Sequence, residues 1–335
     1  MRKGLAPIRW IVLALLCPCW GYGQAAEPEC IAHGPYFGLG GPGLTPVIFA
    51  PGVVSTQHHD DWIPAFSPDG REVILRIVGK MDGENRGVFF SSRMDGSGCW
   101  SIPETHPFSG TSMDGAAAFS ADGHRLFFTS KRPSNEDSES NGNSRLWISE
   151  RKENGWSEPE LLDSPINSFN VNGGLSVAAD GSLYVAMSAP GGLGGLDIYV
   201  VPSVDGRYPG FQPLKGDINT ASSEVGPFAD PELRFILYTL FRDGELSVVL
   251  SLPDGAGGWS AGLPILALEE RQPKFAGISP DGDVVFFVSH QQRDGSNPAA
   301  SWLLGFFEGP AMADNADVYW VRADEILATA PGWEQ

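Results

Sequence analysis

The chain has 335 residues, with 42 glycines, 27 prolines and a formal net charge of −19. That much glycine and proline excludes a protein built on long helices, and the negative charge disfavours nucleic acid and anionic membranes through repulsion. The apolar share, 42%, is ordinary and permits a sizeable core.

Residues 1–25 read as a signal peptide. Arg2, Lys3 and Arg9 form a positive start, an apolar run follows from Trp10 to Cys17, and Gly23, Gln24 and Ala25 supply small residues for cleavage near position 25. The run is too short for a typical membrane span, and no later stretch is apolar enough to cross a bilayer. Cys17 and Cys19 lack the small residue expected before a lipoprotein cysteine. The expected location is therefore periplasmic or secreted, and cleavage leaves a mature chain that is more acidic still. Two of the four cysteines remain, Cys30 and Cys99. In an oxidising compartment they are candidates for a disulfide, with two buried free thiols as the alternative. A bridge of that span would stabilise by roughly 4 kcal/mol in the chain-entropy model.

Residues 26–43 are rich in Gly and Pro and read as an irregular lead-in. The stretch T-P-V-I-F-A-P-G-V-V-S at 45–55 reads as a strand bracketed by prolines and resembles 158–168. Proline cannot donate to a ladder, so such a strand belongs at a sheet edge.

A repeated phrase follows. A-F-S-P-D-G-R-E-V-I-L-R-I at 65–77 returns at 118–130, 176–187, 227–239 and 277–289. Asp-Gly between apolar runs is a hairpin signal, because glycine reaches positive φ without a Cβ clash and Asp bonds the turn backbone. The runs after the turns, 73–75, 126–128, 183–185, 235–237 and 284–287, are short and β-branched or aromatic, as in strands. The fourth copy has Asp230-Pro231-Glu232 in place of Asp-Gly, which predicts a different turn there. Each repeat then offers a third strand, at 88–91, 146–149, 197–201, 246–250 and 317–321. A Gly-aromatic turn and an outer strand follow in the first four.

A period of about fifty residues in an all-β pattern predicts a β-propeller of four-stranded blades over 44–323, with five blades by repeat count and six as the alternative. The fifth repeat ends without an outer strand, and the strand at 45–50 has no inner three. Joining them closes the ring and removes the exposed edges. The tail, 324–335, starts with a possible helical turn at 324–327. The polar loop 133–144 reads as a solvated insertion or a binding loop. The loop 290–315 contains Trp302, Leu303, Phe306 and Phe307, and is expected to pack on its own blade or on a partner.

The F-S-P-D-G-x-x-x-x-F-x-S pattern, the Gly-Trp turns and the Asp197-Ile198-Tyr199 third strand resemble the WD40-like propeller repeat of TolB-type periplasmic proteins. The resemblance covers roughly 44–322 and implies a propeller used as a binding or scaffolding surface. The family's own ring has six blades and an extra N-terminal domain, where the repeats here count five.

A serine hydrolase on a propeller needs a G-x-S-x-G elbow and an α/β domain, and neither is found. Glycosidase propellers use paired carboxylates near the axis, which sequence cannot place. His58, His59 and Asp60 are weak metal candidates, since imidazole and carboxylate are competent ligands, but no third partner is identifiable outside the cluster. Aligned on the turns, position 61 corresponds to 114, 172, 223 and 273. Asp61, Asp114, Asn172, Glu224 and Gln272 are therefore candidates for a polar binding ring at one channel mouth, the alternative being that they cap strand starts. The expected function is an exported, non-enzymatic and monomeric scaffold, without cofactor, that binds a protein or small ligand at one propeller face. The alternatives are a carbohydrate or peptide hydrolase or lyase with channel carboxylates, and a TolB-like partner of peptidoglycan-associated proteins.

Overall fold

A computed structural model describes residues 30–56, 59–134, 142–290, 301–303, 306–307, 309–310 and 316–330. The expected signal peptide, His58 and most of the 133–144 loop lie outside these residues. The protein is a five-bladed β-propeller. Each blade is antiparallel, with its inner strand along the axis. The inner strands are Ala65–Phe66 (with Asp60–Asp61 ahead of it), Asp114–Phe119, Leu175–Val177, Ser223–Ala229 and Lys274–Ile278.

The second strands, Glu72–Met81, Arg125–Ser130, Leu183–Met187, Ile236–Arg242 and Val284–Ser289, carry the apolar runs read from the sequence. Their central residues are buried on both faces because each blade is covered by its neighbours. Phe127, Phe128, Tyr238, Phe286 and Phe287 are at most 2% exposed. This packing between like sheets supplies the main apolar burial of a propeller.

The N-terminal strand closes the ring. Val47 and Ile48 pair with Trp320 and Tyr319 of the third strand of blade 5, Asp317–Arg322. Phe49 N–H donates to the Val318 carbonyl at 2.8 Å. The Ser55 hydroxyl extends the zipper, donating to Val318 O at 3.0 Å and accepting from Val318 N at 3.1 Å.

Two further features tie the ends together. The lead-in, expected to be irregular, contains a strand, Cys30–His33, paired with Cys99–Ser101 of blade 1. Cys30 and Cys99 are joined in a disulfide with a Cα–Cα distance of 5.5 Å. Phe37 behind them packs on Trp100 at 4.6 Å between ring centres, and Trp100 Nε1 donates to Gly34 O at 2.7 Å. Second, the apolar loop between the second and third strands of blade 5 reaches over to blade 1. Trp302 and Phe306 lie against Phe90 of blade 1 at 5.1 and 4.9 Å, and Gly309–Pro310 pairs with Gly79 and Lys80. Gly79 makes room, since a Cβ there would run into the Phe307 ring.

The fourth corner also differs from expectation. Its backbone matches the other four: Leu233 N–H donates to Asp230 O at 2.8 Å, as Gly70 does to Ser67 and Gly282 does to Ser279. Leu233 occupies the left-handed position at φ 58 that glycine fills elsewhere. Asp230 stands where the other corners have Ser or Ala, and it holds the turn by accepting from the N–H groups of Glu232 and Arg234.

Candidate functional site

The inner strands carry small residues where a large side chain would fill the axis. Ala116, Ala117, Ala118, Gly174, Gly226 and Gly277 face a central cavity of about 1110 Å³. Part of its lining lies near the strand starts. There Trp62 of blade 1 packs on Phe275 of blade 5 with ring centres 4.3 Å apart, and Gly226 N–H donates to Gly173 O across blades 4 and 3 at 2.5 Å. Gly226 needs its missing Cβ, because a side chain there would strike Phe275. Arg76 lies over the Trp62 ring at 4.5 Å, and burial pushes its guanidinium down to about 10. From this layer the cavity runs past Phe66, Phe228 and Phe286 to the corner ends of the strands, where Asp230, Glu232, Asp281 and Asp324 line it.

Those corners keep carboxylates ionised. Burial raises the Asp281 carboxyl, but bonds from Ser279, Tyr36 and the Asp283 amide outweigh it and hold the pKa below the usual range. At Asp230 burial is outweighed in the same way by Arg234, whose guanidinium approaches to 2.6 Å. The Ser120 hydroxyl and the His124 amide lower Asp122. At Asp69 the Ser67 hydroxyl and the Arg71 amide prevail over burial. A carboxylate that accepts two or three such bonds favours its charged form. Around the apolar interior the corner end thus presents four acids and one cation, Arg234, which pairs with Asp230 at 2.6 Å and approaches Glu232 at 3.9 Å, while Arg322 pairs with Asp324 from outside the cavity lining.

The residues singled out in the sequence sit elsewhere. None of Asp61, Asp114, Asn172, Glu224 and Gln272 lines the cavity. Asp61, Asp114 and Glu224 are buried, while Asn172 and Gln272 are exposed. Asp61 accepts from the Thr56 amide and hydroxyl, at 2.5 and 2.7 Å. Asp114 accepts from Ser109, Ser130 and Arg132 at 2.5, 2.7 and 2.9 Å. Glu224 accepts from the Thr220 hydroxyl and amide at 2.6 and 3.2 Å, and burial pushes its carboxyl up. A hydroxyl four or five residues before the acid recurs in all three cases. Each acid ties down the loop that enters its inner strand.

Asp114→Ala is thus expected to lower the unfolding free energy by about 3 kcal/mol, because it removes a fully buried carboxylate that ties Ser109, Ser130 and the partly buried Arg132 together. Urea unfolding checks this, and an Ala variant as stable as the parent counts against it.

Of the metal candidates, His58 lies outside the described residues. The His59 ring packs on Phe307, and Asp60 accepts from the Ala316 amide. Among the described residues, three donor side chains within ligand reach occur at Cys30, His33 and Cys99, where both sulfurs belong to the disulfide.

No family model and no curated protein matches the chain. Solved structures do. A putative TolB from Agrobacterium tumefaciens is 19% identical over 72% of each chain, with a TM-score of 0.44. TolB from Acinetobacter baumannii is 14% identical over 79% of this chain, which spans 57% of that one, with a TM-score of 0.48. A gluconolactonase from Xanthomonas campestris is 13% identical over 88% of this chain and 93% of that one, with a TM-score of 0.47. The likeness is one of fold. It corrects the expectation of a non-enzymatic protein: the neighbours include hydrolases, the gluconolactonase and an α-L-arabinofuranosidase from Lactobacillus brevis among them, as well as TolB. The ring is common to both kinds and gives no ground for excluding catalysis.

The corner acids escaped the sequence reading because Asp-Gly reads first as turn chemistry. The usable signal was the small residues of the inner strands. They leave the axis open, and the corners necessarily ring one of its ends.

Proposed function

We propose that the protein is an exported propeller that binds, in its central cavity, an extended apolar segment of a partner protein flanked by positive charge. The observation that supports this reading is the apolar cavity of about 1110 Å³ with ionised carboxylates at its corner end. Apolar walls favour Leu- or aromatic-bearing segments by burial, and the acidic rim favours Lys or Arg beside them and disfavours acids. The TolB neighbours, and the resemblance of the repeats to TolB-type periplasmic proteins, are in keeping with a protein partner in the periplasm.

Fluorescence anisotropy with two labelled Leu-rich peptides, one flanked by Lys and one by Glu, tests the reading. The Lys peptide is expected to bind, and more weakly as salt rises. The Glu232→Lys/Asp324→Lys double variant is expected to lose that preference. Binding indifferent to flank charge, or unaltered in the double variant, refutes it.

A further inference from the structure

A second concavity, of about 400 Å³, lies between blades 1 and 2 beside their Asp-Gly corners. It differs from the central mouth in holding three arginines where the mouth holds one. Arg71, Arg93 and Arg151 converge there with His124. Their principal counter-ion is Glu72, which is 4% exposed. Arg93 donates to Glu72 Oε1 at 2.9 Å and Arg151 to Oε2 at 2.5 Å, with Trp156 Nε1 adding a bond at 3.1 Å. One buried carboxylate thus faces two guanidiniums.

Arg71, the third, donates through its guanidinium to neutral groups, the carbonyls of Met94 and Asp95. The other two acids of the crevice, Asp69 and Asp122, are engaged with Ser67 and Ser120 and with the backbone of their own corners. They temper the local field. Among the described residues, neither forms an ion pair with the three arginines.

Arg93 uses one of its five N–H donors on Glu72, and half of its side chain is exposed. The guanidinium of Arg151 lies over the Trp156 ring, 4.3 Å from its centre, and donates to Gly123 O at 3.1 Å. The three guanidiniums are matched in number by Glu72, Asp69 and Asp122, but the two corner acids spend their oxygens on their own corners, so the donors of Arg71 and Arg93 that Glu72 does not take, beside an Arg151 held by its surroundings, form a preorganised receptor for an oxyanion.

We infer that the crevice between blades 1 and 2 binds the carboxylate or phosphate group of a small anionic ligand, with Arg71 and Arg93 as the accessible donors and Arg151 as the fixed one. This site is separate from the central cavity, so either reading can fail without the other.

The test is isothermal titration with inorganic phosphate and, separately, with citrate, at constant ionic strength. At least one is expected to bind the parent protein. Phosphate alone identifies a phosphate site, and citrate alone a carboxylate site. Arg71→Gln and Arg93→Gln are each expected to weaken binding roughly tenfold or more, from the loss of a charged hydrogen bond. Arg234→Gln, at the central mouth, is expected to leave it unchanged. Arg93→Gln also disturbs Glu72, so Arg71→Gln, which gives up only carbonyl contacts, keeps the test valid if the former fails to fold. Absence of binding at millimolar concentrations of both anions, or binding by Arg71→Gln equal to that of the parent, overturns the inference.

Discussion

Phe49→Ala is expected to cost about 3–5 kcal/mol of unfolding free energy, the range for a fully buried aromatic truncated to Ala. Phe49 is 0% exposed. Its ring lies 4.9 Å from Phe286 and 4.9 Å from Trp320 in blade 5, 6.4 Å from Phe66 in blade 1, and 6.3 Å from Phe37 of the lead-in. One side chain therefore joins the first blade, the last blade and the N-terminal segment. The closing strand proper has only two paired residues, Val47 and Ile48, and Val47 is 48% exposed. Two ladder pairs at an edge hold little by themselves, so the ring depends on the anchor beside them. Phe49→Leu keeps most of the volume and is expected to cost less than about 1.5 kcal/mol. Urea unfolding gives the free energies. Hydrogen exchange at the Val318 and Trp320 amides gives the location, since opening of the closure should expose them before the other blades unfold. A loss below about 1 kcal/mol for Phe49→Ala, with those amides still protected, means that the closure rests elsewhere.

The second large effect concerns acid. His106 is 1% exposed, and neither ring nitrogen has a hydrogen-bond partner among the described residues. Its ring lies against Phe108 at 4.2 Å and Trp156 at 6.3 Å. Burial pushes its pKa down to about 4; nearby Glu72 acts the other way, and Arg93, Arg132 and Arg151 reinforce the fall. The folded imidazole thus resists a proton that the unfolded chain accepts at its ordinary value near 6.5. Stability from this group is fully present above that value, falls as pH drops through the window, and stops falling below about 4. The window corresponds to about 3 kcal/mol. Glu72 works in the same sense lower down. Burial raises its carboxyl, but Arg151, Trp156 and Arg93 outweigh that and lower it, so its stabilisation fades as the carboxylate takes up a proton. Unfolding free energies of the parent and of His106→Leu, measured between neutral pH and the ordinary carboxylate range, separate the two groups. The Leu variant should stay level where the parent declines, and then fall with the carboxylates. Parallel curves for the two proteins refute the assignment.

Much of the architecture was legible because it is local and repeated. Asp-Gly corners set the hairpins, the β-branched and aromatic runs after them set the second strands, and an unpaired strand at each end of the repeat array left ring closure as the way to satisfy both edges. The fourth corner shows the limit of such reading. Residue identity at Asp230-Pro231-Glu232 suggested another turn, whereas the blade around it imposed the same one and put Leu233 at positive φ. The loop at 301–310 was legible as apolar but not as to destination. What receives it is Gly79, more than two hundred residues earlier, and only the closed ring brings the two together.

The site divides in the same way. Sequence by itself determined that Asp61, Asp114 and Glu224 stand at strand starts and that the inner strands are small-sided. Tertiary structure alone decided that these acids turn into the wall, where preceding hydroxyls meet them, and that the corner acids at the opposite end face the cavity. It also decided the gathering of Arg71, Arg93 and Arg151 around Glu72. These residues come from two blades, and their convergence follows from the rotation between adjacent sheets. The physical reason is that turn and strand preferences act between near neighbours in the chain, while the direction of a charged side chain is set by the desolvation and hydrogen bonds it meets once distant strands have packed.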